Sequence, residues 1–270
     1  MRRPVDGGGA RSAADGGAAP PRGIVVRSAR EIEQLREAGR IVAAVLDALG
    51  GAVEPGIETR DLDALAERLI RAAGAVPTFK GYRGFPGSIC VSVNEAVVHG
   101  VPGARRLRPG DIVSCDVGAT LGGYIGDGAG TFTVPPVSAE SGRLLDVTRR
   151  ALAAGIRAAM PGARVGDISH AVQTVVESEG FSVVRRYCGH GVGTSMHEEP
   201  QVPNYGEAGQ GPLLRTGMVL AIEPMVNAGG DDVRVLRDRW TVVTRDGRPS
   251  AHFEHTVAIR EAGPEILTAP

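Results

Sequence analysis

Acidic side chains within apolar, strand-like sequence are the first sign of chemistry in this chain of 270 residues. Asp116 lies in the run IVSCDV at 112–117, and Asp127 follows eleven residues later, beyond a turn at Gly122-Gly123. Removing a carboxylate from water costs roughly several kcal/mol unless a cation or strong donors accompany it. The stretch 110–131 contains neither Lys nor Arg. A metal ion, a distant arginine or an incorrect strand assignment would each resolve this conflict.

An internal echo supplies a second pair of acids. The recurring positions are Pro55-Gly56, Asp61, Leu62 and Gly74, which return after 106 residues as Pro161-Gly162, Asp167, Ile168 and Gly180, and Leu107-Arg108-x-Gly110, which returns after 107 as Leu214-Arg215-x-Gly217. The second match leads to Asp116 in the first copy and to Glu223 in the second. Asp127 and Glu254 correspond more loosely. Pro-Gly and Gly are common, so chance similarity stays an alternative.

The echo predicts an α+β fold of two halves, approximately residues 28–135 and 136–268, related by a pseudo-two-fold axis. Each half would place its helices outside and a strand hairpin inside, so that two acids from each half meet at the axis. Four carboxylates in one place repel one another strongly, and divalent cations are the obvious remedy. Taken singly, Asp116 could equally be a turn or salt-bridge acid, and Glu223 could simply end a strand.

Local signals divide the chain into an arm, residues 1–23, and one folded domain, residues 24–270. In residues 1–23, fourteen are Gly, Ala or Pro, and such a segment cannot bury enough surface to offset its ordering entropy, which predicts disorder. Ser28 and Glu31 form a capping box that opens a helix closed by Gly50-Gly51. A second helix is predicted from Thr59 to Ala73.

Composition narrows the class of protein. The net charge of −1 argues against nucleic acid as a partner, because phosphate binding needs a basic surface. Three cysteines, Cys90, Cys115 and Cys188, favour neither a disulfide framework nor a thiolate zinc site. No apolar run approaches the roughly 20 residues of a membrane span. We therefore expect a cytoplasmic protein without membrane contact and, in the absence of a heptad pattern, a monomer.

Histidines in glycine-rich sequence complete the candidate ligands. His190 and His197 stand seven residues apart in GHGVGTSMH, and His99 lies in VHGVP. One imidazole with several carboxylates and no thiolate suits Mn, Fe, Co or Zn better than copper or an iron–sulfur cluster. Two such ions bridged by carboxylates would hold a hydroxide for hydrolysis. A histidine such as His190, considered alone, is more often an ordinary core residue.

With these residues, the sequence resembles the type I methionine aminopeptidases, which have the pita-bread fold. The resemblance covers residues 28–268 and rests on VNEAVVHGVP, LRPGDIVSCDVG, YIGDGAGTF, FSVVRRYCGHGVGTSMHEEPQVPNY, GMVLAIEPMV, RWTVVTRDG and SAHFEHTV. It implies a pita-bread fold with a central curved antiparallel sheet. It also implies two divalent metal ions per chain, Co, Mn, Fe(II) or Zn, held by Asp116, Asp127, His190, Glu223 and Glu254.

The resemblance also implies roles for individual residues. Asp127 and Glu254 would bridge the ions, Asp116 would bind one of them, and His190 and Glu223 the other. A hydroxide would attack the first peptide carbonyl of a nascent chain, and Glu223 would carry the proton to the leaving amine. His197 would donate to the oxyanion, and His99 would contact the substrate. The methionine pocket would comprise Tyr82, Phe85, Cys90, Met196 and Trp240, for which ordinary core packing is the alternative.

The expected activity is removal of the initiator methionine ahead of a small second residue, from nascent polypeptide N-termini including those at the ribosome. Two other functions stay open. A proline-directed prolidase or aminopeptidase P would share fold and ligands but usually adds an N-terminal domain, whereas 23 residues precede the folded part here. A non-catalytic pita-bread protein would typically lose metal ligands. Type II enzymes insert a subdomain between the last two ligands, which here are only 31 positions apart.

Overall fold

The structure, a computed structural model, describes residues 23–269, so the predicted disorder of residues 1–23 falls outside it except at Gly23. Within the described part the helices are α1 (Ala29–Ala52), α2 (Thr59–Ala72), α3 (Ala139–Ala158) and α4 (Val165–Ser178). The strands are β1 (Val76–Pro77), β2 (Cys90–Val93), β3 (Ala96–Val98), β4 (Ile112–Leu121), β5 (Tyr124–Thr133), β6 (Ser182–Val183), β7 (Gly189–Gly191), β8 (Glu198–Val202), β9 (Val219–Ile222), β10 (Met225–Asn227), β11 (Val233–Val235), β12 (Val242–Thr244), β13 (Ser250–His252), β14 (Glu254–Arg260) and β15 (Gly263–Ile266). None of these helices is long and apolar enough to cross a bilayer.

The first helix begins as its sequence predicts. The Ser28 hydroxyl accepts from the Glu31 amide at 3.3 Å, and the Glu31 carboxylate accepts from the Ser28 amide at 2.9 Å. This reciprocal pair satisfies two of the amides that every helix start leaves without a partner. Helix α1 ends at Ala52, just beyond the predicted glycine pair. Leu35, Val42 and Leu49 are completely buried along one of its faces, so α1 packs on the sheet through an apolar stripe.

A nine-stranded sheet forms the centre of the molecule, in the order β1-β4-β5-β14-β9-β7-β8, with β2 on β4 and β15 on β14. Its strands pair antiparallel throughout. Gly122 and Gly123 connect β4 to β5 with φ of 57° and 86°, as a two-residue hairpin turn requires. Strand β14 pairs with both β5 and β9, and it therefore joins the two halves.

The internal echo corresponds to repeated backbone contacts. The Gly56 amide donates to the Leu107 carbonyl at 2.8 Å, and the equivalent Gly162 amide donates to the Leu214 carbonyl at 2.9 Å. The first bond joins the segment before α2 to the segment before β4, and the second joins the segment before α4 to the segment before β9. Asp116 lies in β4, and Glu223 directly follows β9. The predicted α+β architecture, with two similar halves around an antiparallel sheet and helices outside, is confirmed.

Helix α1 and strand β5 meet with their backbones in direct contact. A Cβ atom at Gly126 would lie 2.6 Å from the Gly39 amide nitrogen and 2.8 Å from the Ala38 carbonyl oxygen. Real Cβ atoms do not approach backbone this closely, and neither element can yield without shifting the other. Gly126 therefore sets the distance between α1 and the strand that carries Asp127.

We predict that Gly126→Ala lowers the free energy of unfolding by about 2 kcal/mol or more, because the added methyl group overpacks a backbone contact. Gly51→Ala is the matched control, since a Cβ there meets nothing within 4 Å and alanine suits a helix better than glycine. Urea unfolding measures both variants. An unchanged unfolding midpoint for Gly126→Ala would contradict the close approach.

Candidate metal centre and substrate cavity

A cavity of about 320 Å³ brings together every residue that the sequence predicts for the site. Its lining includes Tyr82, Phe85, Cys90, His99, Asp116, Asp127, His190, Met196, His197, Glu223, Trp240 and Glu254. Tyr187, Cys188 and Arg186 also contribute, and sequence reasoning did not select them although they directly precede the GHG segment. Polar groups that could bind metal thus share one space with apolar side chains.

The four carboxylates lie on or directly beside four consecutive strands of the sheet, β4-β5-β14-β9. Asp116 lies within β4 and Asp127 within β5, Glu223 directly follows β9, and Glu254 begins β14. Asp127 and Glu254 are each only 2% exposed. Register aligns these acids, since Glu254 is paired with Ala129, which in turn is paired with Asp116. Asp127 lies two residues before Ala129 and therefore on the same side of β5.

Burial and mutual repulsion make these carboxyl groups hard to ionise in the protein alone. Burial, reinforced by neighbouring carboxylates, raises the pKa values of Asp116, Glu223 and Glu254 well above their usual range. Burial raises the pKa of Asp127 to about 7, against a hydrogen bond with Glu254 that lowers it. In residues 23–269, the nitrogen partners within ion-pair distance of these four acids belong to two histidines and to no Arg or Lys.

His190 presents one nitrogen to the acids and anchors the other. Its Nδ1 lies 2.9 Å from the Gly191 carbonyl, which can only accept, so Nδ1 carries the proton and Nε2 keeps a free lone pair. Nε2 lies 3.5 Å from Glu223 and 3.7 Å from Asp127. Burial lowers the pKa of His190 to about 4. The ring is therefore neutral at physiological pH, which is the form that ligates metals.

These donors fit a divalent metal ion. Ligand atoms of Asp127, His190 and Glu254 all lie within 4.8 Å of one another. One buried oxygen of each of Asp116, Asp127 and Glu254 has no hydrogen-bond partner. Separations of 3.5–3.7 Å from Nε2 to two carboxylates are too long for hydrogen bonds, but two atoms bonded to one ion at about 2.0–2.2 Å span such a gap.

Two further histidines flank the acids. The Tyr82 hydroxyl lies 2.9 Å from Nδ1 of His197, and the His197 ring centroid is 4.4 Å from that of His190. Burial lowers the pKa of His197 to about 3 and also lowers the pKa of His99. His99 adopts a φ of 57° and packs edge-on against Tyr187. Both rings are neutral, and both line the cavity beside the carboxylates.

The remaining predicted residues form an apolar end to the cavity. Phe85 packs edge-on against Trp240 with centroids 5.1 Å apart. Cys90 is 5% exposed and Met196 7%, and Cys90 pairs in register with Asp116. The apolar end therefore begins one strand away from the candidate metal centre.

With this geometry in place, comparison with known proteins decides the family. The sequence model described as Metallopeptidase family M24 matches residues 33–261. The chain belongs to metallopeptidase family M24.

Within family M24, this chain is most clearly similar to methionine aminopeptidases. The chain is 57% identical to methionine aminopeptidase 1 of Bacillus subtilis over 245 residues, which is 91% of this chain and 99% of that relative. Its structure is similar to the crystal structure of a methionine aminopeptidase from Thermotoga maritima, with a TM-score of 0.90 and 47% identity over 92% of this chain and 100% of the other. The predicted resemblance to type I methionine aminopeptidases and the pita-bread fold are confirmed, and the chain is a metallo-aminopeptidase.

The proline-directed enzymes share the fold at greater distance. A prolidase from Pyrococcus furiosus superposes with a TM-score of 0.74 at 24% identity, and the match covers 91% of this chain but 65% of that one. This likeness shows the fold alone. The non-catalytic alternative does not agree with a chain in which all five candidate ligands meet in one cavity.

His252 also lies beside the acids of this M24 enzyme. It is 1% exposed, and its Nε2, which has no hydrogen-bond partner, lies 3.7 Å from Glu223 and 3.9 Å from Glu254. The sequence signal for this position is strand alternation, which places His252 on the same side as Glu254. His255 points to the opposite side of β14, where its Nδ1 lies 2.9 Å from the Thr268 hydroxyl.

We predict that Mn²⁺ binding to metal-free protein near neutral pH releases protons, because carboxyl groups with raised pKa values, including that of Asp127 at about 7, must ionise to ligate. The affinity consequently rises with pH. Titration calorimetry in two buffers of different ionisation enthalpy measures the protons released.

Asp127→Ala should abolish this Mn²⁺ binding and turnover together, whereas Asp47→Ala, at an exposed position on α1, should change neither. The same binding heat in both buffers, or normal Mn²⁺ affinity in Asp127→Ala, would contradict the assignment.

Proposed function

We propose that this enzyme removes the initiator methionine from nascent polypeptides in the cytoplasm, as a monomer, and prefers a small second residue. The observation that supports this most directly is the continuity of the cavity. A cluster of oxygen and imidazole donors lies at one end, and sulfur and aromatic side chains lie at the other. The relatives named methionine aminopeptidases support the same activity.

Asp116, Asp127, His190, Glu223 and Glu254 would hold two divalent ions, with Co, Mn, Fe(II) and Zn all compatible with this donor set. Bound ions would supply Lewis acidity and a hydroxide at neutral pH. The protein has to keep these donors together despite their repulsion, and it does so by placing them on adjacent strands of one sheet.

Glu223 is the proposed general base and acid. It would accept a proton from the attacking water and deliver it to the leaving amine of the second residue. Burial and the nearby Asp127 and Asp116 raise its pKa, and a carboxyl group that binds protons more readily is better suited to this transfer near neutral pH. The side chain of Asn204 donates to the Glu223 carbonyl at 3.0 Å, which fixes the backbone at this position.

His197 and His99 are proposed to act on the substrate's peptide group. A neutral His197 with its proton on Nε2 would donate to the oxyanion that develops on the carbonyl oxygen, and Tyr82 would orient the ring through Nδ1. His99 would contact the peptide group or the amine from the other side. Donors already aimed at developing charge stabilise the transition state without reorganising.

The proposed pocket for the methionine side chain is the apolar end, formed by Tyr82, Phe85, Cys90, Met196 and Trp240. An unbranched thioether fills such a space well and makes favourable contacts with aromatic rings. The second residue of the substrate would lie near the carboxylates, where a bulky side chain would collide with the cavity wall.

We predict that the metal-loaded enzyme releases methionine from Met-Ala-Ser, and does so faster from Met-Gly than from Met-Lys peptides, because of this crowding. Leu-Ala-Ser and Xaa-Pro-Ala peptides should be cleaved poorly. Chromatography of the released amino acids measures all rates. Cleavage that depends on proline would support the prolidase alternative, and no cleavage with any ion would argue for a non-catalytic protein.

A second prediction concerns His197. His197→Ala should keep Mn²⁺ affinity and lower kcat on Met-Ala-Ser by about 10²-fold or more, as for the loss of one oxyanion donor. His170→Ala is the matched control, because His170 is exposed on α4. Stopped assays under saturating peptide give kcat, and full activity of His197→Ala would show that the role is wrongly assigned.

A further inference from the structure

We propose that Arg27, acting through Glu198, is a positioning residue that holds the loop carrying Met196 and His197 in its catalytic arrangement. This inference rests on the proposed role of His197. Arg27 lies just before α1, far along the chain from the catalytic residues, and nothing in its local sequence indicates a part in catalysis.

The pair that connects these segments is buried. Nη2 of Arg27 lies 2.6 Å from both carboxylate oxygens of Glu198, and the two side chains are 7% and 3% exposed. Nη1 also reaches Glu31, at 3.4 Å. Removing either member of a buried ion pair leaves an uncompensated charge, so the two side chains depend on each other for their positions.

Glu198 uses the same carboxylate to organise the loop. One of its oxygens accepts from the backbone amides of Thr194 and Ser195, at 3.0 and 3.1 Å. Thr194 and Ser195 directly precede Met196 and His197 in the chain. The carboxylate therefore holds the loop in a turn that leads into these two residues. Such bonds to backbone fix the path of the chain rather than one rotamer.

Gly193 shows that the guanidinium lies directly against this loop. A Cβ atom at Gly193 would be 2.1 Å from Nη2 of Arg27. The Gly193 carbonyl also accepts from the Ile125 amide at 2.9 Å, two residues before Asp127 on β5. The loop is therefore held on one side by Arg27 and on the other by the strand that carries a proposed metal ligand.

Arg27 itself is firmly placed. Its backbone amide donates to the Gly217 carbonyl at 2.7 Å, and the next residue, Ser28, caps α1. Lysine at this position would keep the charge but would offer a single ammonium group in place of the planar, delocalised guanidinium. Hence the start of α1 supplies a fixed reference for the loop that carries Met196 and His197.

The test is a double-mutant cycle with Arg27→Met and His197→Ala, using Met-Ala-Ser as substrate. Arg27→Met should lower kcat about 10-fold or more, since small misplacement of a catalytic group is costly. In the His197→Ala background it should lower kcat less than about twofold, because groups that act as a unit are non-additive. Mn²⁺ affinity should not change, since within residues 23–269 no hydrogen bond or ion pair joins Arg27 or Glu198 to the five proposed ligands.

A merely structural role would give equal kcat losses in both backgrounds, and that result would overturn the proposal, as would a normal kcat for Arg27→Met. Arg27→Lys should restore part of the loss. Arg36→Met is the matched control, because Arg36 is a paired arginine on α1, bound to Glu33 and Glu265. If Arg27→Met does not fold, Arg27→Lys carries the same cycle, with a smaller loss expected in the wild-type background.

Hydrogen exchange separates this proposal from the proposed function. If the wild-type enzyme released no methionine, the function would fail, but the amides of Thr194 and Ser195 would still report on the loop. They should exchange faster in Arg27→Met and Arg27→Lys than in the wild-type protein and Arg36→Met. Unchanged exchange at both amides would show that Arg27 does not hold the loop.

Discussion

Repulsion among four buried carboxylates in one cavity is the constraint on which the rest of this structure depends. Each has a raised pKa, so the protein alone does not stabilise their charged forms. Such an arrangement lowers the stability of a metal-free fold and is tolerated only where something else neutralises the charge. The fold therefore acts as a scaffold that holds together carboxylates which would otherwise move apart, until divalent ions bind them.

The two similar halves hold the carboxylates together in one continuous sheet. Each half carries its acids on neighbouring strands, and β14 pairs with β5 on one edge and β9 on the other. A single strand thus belongs to both sides of the centre. The helices add rigidity from behind, where α1 approaches β5 so closely that Gly126 cannot carry a side chain. Carboxylates on a well-supported sheet cannot relax away from one another, and this preorganises the proposed ligands.

The acids could be predicted because they contradict their surroundings. Asp116 stands out in an apolar run, and the spacing repeated in the second half draws attention to Glu223. Contacts between residues far apart in the sequence could not be predicted in this way, because no local pattern indicates them. Arg27 and Glu198 are 171 positions apart, and each resembles an ordinary surface residue of its own segment. The approach of His252 to Glu223 depends likewise on tertiary packing, since alternation along the strand indicates only its side of the sheet.

The histidines show how one residue type can serve opposite purposes in a shared environment. Burial lowers the pKa values of His190 and His197 to about 4 and about 3, so both rings are neutral and each carries a single proton. For His190 the Gly191 carbonyl requires that proton on Nδ1, which leaves Nε2 as a lone pair for a metal. For His197 the neighbour of Nδ1 is the Tyr82 hydroxyl, and when this hydroxyl donates, the proton lies on Nε2 and the ring becomes a donor. In the proposed roles, the hydrogen-bond partner of the remote nitrogen would therefore decide whether each imidazole binds a cation or stabilises an anion.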